Sequence, residues 1–120
     1  MPSQIAQTSL AAVLIALSWS PAWAQNSDPL QRRGNAVLTQ NCSRCHAIGA
    51  TGISPHREAP AFRTLGQRYP IESLAETLAE GLSTGHPDMP EFVFETRDVA
   101  AILAYLQAIQ EPVPPGLQTR

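Results

Sequence analysis

Both cysteines of this 120-residue chain lie in NCSRCHAIG, residues 41–49, three positions apart and with His46 directly after the second. This local feature constrains the fold more than any other in the chain. Two thiols so close in sequence close only a tiny loop as a disulfide. Three chemistries use such a pair: a redox dithiol, a structural zinc site, and covalent attachment of haem. A dithiol of the thioredoxin kind expects a preceding strand in a βαβ unit, and no strand pattern leads into Cys42. A structural zinc site wants four ligands; Cys42, Cys45 and one of His56 or His86 would supply three, and His46 adjoins Cys45 too tightly to be an easy fourth. C-x-x-C-H is the pattern of c-type haem attachment. Thiols about one helical turn apart can each add to a vinyl group on one porphyrin edge, and the next residue then offers an imidazole to the iron. The reading is therefore one haem c held through Cys42 and Cys45, with His46 as an iron ligand.

The start of the chain agrees with this chemistry, since bacterial haem attachment follows export. Residues 1–24 contain no Asp, Glu, Lys or Arg, and Leu10–Leu17 is apolar. Ala22-Trp23-Ala24 then provides the small-x-small pattern of a cleavage site. The apolar run is shorter than the about 20 residues that span a bilayer. We expect a cleaved signal over 1–24, a haem domain over 25–111 and a Pro-rich tail over 112–120. The expected location is the periplasm, with no membrane span after cleavage. Both tryptophans, Trp19 and Trp23, leave with the signal. The remaining chain is short for an unaided core, and a covalent cofactor would supplement it.

The basic residues are all arginine, and the net charge is −2, which argues against nucleic-acid binding. Charge is unevenly spread. Through Arg68, six arginines face only Asp28 and Glu58, whereas from Tyr69 onward eight acids face Arg97 and Arg120.

After the signal the pattern predicts helices separated by Pro/Gly loops, an all-α domain of about three to four helices. Asp28 as N-cap, Pro29 at the first helical position and Gln31 in the capping-box position start the first helix. Its inner face carries Leu30, Gly34, Val37 and Leu38. Residues 47–60 read as loop, Ala61–Leu65 as a short turn of helix ended by Gly66. A further helix opens at Pro70, with Ile71, Leu74, Ala75 and Leu78 inward, a solvated Glu72/Glu76/Glu80 stripe and Gly81 as its stop. Residues 82–95 read as loop. Thr96 is the expected N-cap of the last helix, which carries Val99, Ile102, Leu103, Leu106 and Ile109 and stops before Pro112.

The sixth iron position decides between electron transfer and ligand chemistry. Met89 is the sole methionine after the signal and sits in the polar loop GHPDMPEF. A lone Met usually fills a core gap, but this one lies on no apolar helical face. Met opposite His is a cytochrome c pairing that raises the potential. His86 is the competing ligand, giving a lower-potential bis-imidazole pair, and His56 reads as an ordinary exposed loop histidine.

At this point the chain resembles the small class I c-type cytochromes of bacteria. The resemblance rests on four ordered features: Gly34 and Leu38 leading into CSRCH, the proline loop APAF (59–62), the loop DMPEF (88–92), and the final helix AILAYLQAI (101–109). It implies a cytochrome c-like fold wrapped around one haem, with Gly34 crossing the last helix against Tyr105 beside Leu38 and Ile102. It also implies that the Pro60 carbonyl holds the His46 imidazole. Mitochondrial-type relatives carry docking lysines and a tryptophan near a haem propionate; this chain has no lysine and no tryptophan after the expected signal, and Arg63, Arg68 or Tyr69 is the expected substitute for the latter. The implied activity is electron transfer rather than enzyme catalysis. The partners expected are a redox donor and acceptor, such as a dehydrogenase or terminal oxidase, serving a monomeric carrier.

Overall fold

The computed structural model describes residues 28–81, 83 and 85–113. The expected signal peptide and residues 114–120 of the tail lie outside the described residues. The described residues form three α-helices joined by loops and two short 3-10 turns, with no strand, in agreement with the all-α expectation. The helices are α1 (Pro29–Asn41), α2 (Leu74–Glu80) and α3 (Thr96–Ile109).

Helix α1 starts where the capping residues place it. Asp28 Oδ1 accepts the Leu30 N–H at 2.9 Å, satisfying one of the donors that every helix start leaves open. At the other end, side chains bond back to carbonyls of the last turns. Asn41 Nδ2 donates to the Val37 carbonyl at 2.8 Å, and Ser43 Oγ to that of Thr39 at 2.6 Å. Gly34 and Leu38 are the buried residues of this helix, while Leu30 stays on the surface.

Helices α1 and α3 cross at Gly34. A Cβ there would run into the Ala101 carbonyl oxygen and lie 2.8 Å from Tyr105 Cβ, so only glycine permits this approach. Beside the crossing, Leu38, Ile102 and Leu106 join Phe62, Leu65, Ile71, Leu78 and Val99 in one core. An ion pair closes the outside: Arg33 Nη2 and Asp98 Oδ1 are 2.5 Å apart.

Three element ends differ from the expectation. Helix α3 has Glu95 as N-cap rather than Thr96, because extended Glu95 presents its carbonyl to the N–H groups of Asp98 and Val99. The turn after Ala61 is a 3-10 turn, Phe62–Gln67, that runs through Gly66; the Gly66 N–H is taken by the Gln110 side chain at 2.7 Å. The segment opened by Pro70 begins as a 3-10 turn, Ile71–Ser73, before becoming α2. Gly81 ends α2 as expected, at φ 130°. The glutamate stripe is exposed, but Glu72 also accepts a hydrogen bond from Gln107 at 2.8 Å, tying α2 to α3.

Candidate functional site

The C-terminal turn of α1 leaves Cys42 packed at the edge of the core and folds the next residues back. The N–H groups of Cys45 and His46 both donate to the Cys42 carbonyl, at 3.1 and 2.9 Å. This turn brings Cys42, Cys45 and His46 to one wall of a cavity of about 450 Å³. The thiols are not bonded to each other. Burial first, and the neighbouring Cys45 second, push the Cys42 thiol up to about 11, so it is neutral at pH 7.

His46 is 9 % exposed and is held from three sides. Its Nδ1–H donates to the Pro60 carbonyl at 2.8 Å. The Phe62 ring lies against it, centroid to centroid 4.6 Å and tilted by 32°. Ala47, next in the chain, accepts the Phe62 N–H at 2.9 Å and donates its own N–H to Ser54 Oγ at 3.0 Å. Because a carbonyl can only accept, the Pro60 contact places the ring proton on Nδ1 and leaves the Nε2 lone pair for a metal. An imidazole oriented in this way, beside two unbridged thiols and a cavity, fits the haem expected from the motif.

The opposite segments of the cavity wall come from residues 56–59 and 86–92, including Met89, Pro90 and Phe92. Met89 is half-buried, and its N–H donates to the His86 carbonyl at 3.1 Å. His56 is not the ordinary exposed residue expected. It is half-buried in this wall, and its ring meets that of His86 edge-on at 5.7 Å. His86 Nε2 lies 2.7 Å from Glu58 Oε2, and His56 Nε2 lies 3.5 Å from Asp88 Oδ2. The Asp88 N–H points to His86 Nδ1 at 3.3 Å, so both nitrogens of His86 face protein groups. Sequence patterning offered no sign of this cross-tie, because its members are 28 to 32 residues apart.

The expected propionate substitutes are elsewhere. Neither Arg63, Arg68 nor Tyr69 lines the cavity. Arg63 is committed to Glu111 at 2.7 Å and to the Gly52 carbonyl at 2.9 Å. Among the described residues no three His, Cys, Asp or Glu side chains converge to hold a metal ion, so the zinc alternative has no assembled donor set there. The Phe62 contact with His46 was also missed at the level of sequence, although APAF marks the segment that supplies it.

No helix among the described residues is long and apolar enough to cross a membrane. Neither the curated proteins nor the solved structures compared with the chain give a significant match. The sequence pattern of the family described as cytochrome c oxidase, cbb3-type, subunit III does match, over residues 29–106. That span runs from the start of α1 through Leu106 and takes in the CSRCH turn, the cavity wall and the helix crossing at Gly34. A turn presenting two thiols and an oriented imidazole to one cavity, within that match, leaves one conclusion: the chain belongs to this family, a cytochrome c-like all-α domain that carries one haem c bound covalently through Cys42 and Cys45 and serves electron transfer.

Proposed function

We propose that the protein is a periplasmic one-electron carrier of a respiratory or dehydrogenase chain, with His46 and Met89 as the two axial ligands of the haem iron. The observation that carries this reading is the single cavity into which Cys42, Cys45, His46 and Met89 all open. When bound, the haem supplies reversible ferric–ferrous chemistry. The chain's own residues bind and orient. Pro60 and Phe62 fix the imidazole, and the Nδ1–H bond to Pro60 raises its basicity. Met89 brings a neutral, polarisable sulfur from a loop held to the Glu58 segment by His86. Pro90 and Phe92 add apolar wall beside Met89. If His46 and Met89 both held the iron, no position on it would be left for a substrate, and the protein is read as a carrier and not an enzyme.

A visible spectrum tests the ligand assignment. The protein is expected to be low-spin, with the weak far-red band of Met–ferric ligation, and not to bind carbon monoxide. Met89→Ala should lose that band and bind carbon monoxide. A band that survives in Met89→Ala, or a low-spin spectrum without it, would transfer the ligand role away from Met89, with His86 the first candidate. Carbon monoxide binding by the untreated protein would instead favour an open-site haem protein for gas or peroxide.

The family description supports a second reading, in which the chain is the haem subunit of a larger oxidase. Co-purification with a membrane oxidase would favour that arrangement over a free carrier. In either case Asp88, Glu91 and Glu95 surround Met89 in sequence, and a basic or neutral partner is expected. Electron transfer to a basic partner should slow as salt is added, because screening weakens the attraction. A rate that climbs with ionic strength would refute it.

A further inference from the structure

The end of α3 grips the turn that carries the surroundings of His46. Gln110 is half-buried, and its amide is fully engaged. Its Oε1 accepts the Gly66 N–H at 2.7 Å, while Nε2 donates to the Phe62 carbonyl at 2.9 Å and to the Leu106 carbonyl at 2.7 Å. Glu111 continues the grip, its N–H donating to the Arg63 carbonyl at 2.8 Å. The Phe62–Gln67 turn is thus anchored near both ends by residues 110 and 111. The segment just ahead of it supplies the Pro60 carbonyl to His46 Nδ1, and its first residue lays a ring on the imidazole. These gripping residues lie beyond residue 106, where the family match ends.

We propose that Gln110 is a positioning residue for the proximal imidazole: by holding Phe62 and Gly66 it fixes the Pro60–Phe62 segment against His46 and so sets the strength of the His46–Pro60 hydrogen bond. The inference rests on the reading of His46 as an axial ligand. The physical link is short. A firmly placed carbonyl draws the Nδ1 proton, makes the imidazole a stronger donor and favours the ferric state. Removing the amide leaves the Gly66 N–H and the Phe62 carbonyl without this partner, and the turn can then adjust toward water to recover the lost bonds. Pro60 and Phe62 would move with it.

Gln110→Met in the full holoprotein tests this, because it keeps the bulk and removes all three hydrogen bonds. Gln107→Ala is the control, since it breaks the Gln107–Glu72 bond near the same end of the helix without touching the turn. For Gln110→Met the ferrous form should be favoured about threefold, a rise of about 28 mV in potential at 59 mV per tenfold for one electron. Exchange of the His46 ring N–H, followed by proton NMR of the reduced protein, should quicken about tenfold. Gln107→Ala should move neither. If Gln110→Met lowers only the melting temperature and leaves potential and ring exchange unchanged, the residue merely holds the fold and the proposal fails. If that variant does not fold, the wild-type protein decides. The Gln110 amide and the His46 ring N–H should then exchange in one slow class, and a freely exchanging Gln110 amide beside a protected ring N–H overturns the proposal. Failure of the underlying reading looks different: His46 ring protons without the large shifts of a haem ligand would remove the axial assignment itself.

Discussion

Gly34→Ala is expected to lower the melting temperature of the holoprotein by about 12–24 °C, the equivalent of about 3 kcal/mol in a domain of this size. Overpacking a well-filled contact ordinarily costs about 1–3 kcal/mol, and this position stands at the upper end for a geometric reason. The added Cβ meets the Ala101 carbonyl, with the carbonyl carbon only 2.6 Å away, and Tyr105 Cβ at 2.8 Å. None of these atoms can rotate aside. Helices α1 and α3 must separate, and the separation reaches Leu38, Ile102 and Leu106 in the core they share. Because α1 also leads directly into Cys42, the same movement displaces the haem-bearing turn. Thermal unfolding followed by circular dichroism and by haem absorbance checks this, and a melting point within about 4 °C of the parent would contradict the crossing.

The second large effect is expected from removing both thiols. Cys42→Ser with Cys45→Ser should abolish covalent haem, read as loss of haem staining on a denaturing gel, and should leave a chain that does not hold the present fold. Without haem, the apolar wall of a cavity of about 450 Å³ loses the group that would cover it, and a domain this small has only about 5–15 kcal/mol of stability to draw on. The expected observations are weak near-UV dichroism and fast amide exchange in α1 and α3. A haem-free double variant with the parent's exchange protection would show that the helices hold themselves and that the cofactor adds little.

These two effects stand at opposite ends of what could be read from the chain. The role of Cys42 and Cys45 follows from spacing within one turn, and so does the start of α1 at Asp28 and Pro29. Each depends on atoms a few residues apart. The crossing at Gly34 and the Pro60 carbonyl on His46 were expected only through resemblance to known cytochromes, since nothing in local patterning says which face meets which. Of the boundaries that moved, the one at Gly66 moved because a partner elsewhere decides it, an amide 44 residues away, whereas Glu95 caps α3 through its near neighbours Asp98 and Val99.

Sequence by itself determined the helical class, the haem-binding turn and the candidate ligands, because periodicity, capping and the C-x-x-C-H spacing are short-range properties of a polymer. Tertiary structure alone decided that Phe62 packs on His46, that His56 and His86 meet across two loops, and that Gln110 grips the turn after Ala61. Those contacts join residues 16 to 48 positions apart. They depend on how helices and loops pack against one another, and no local rule encodes that packing.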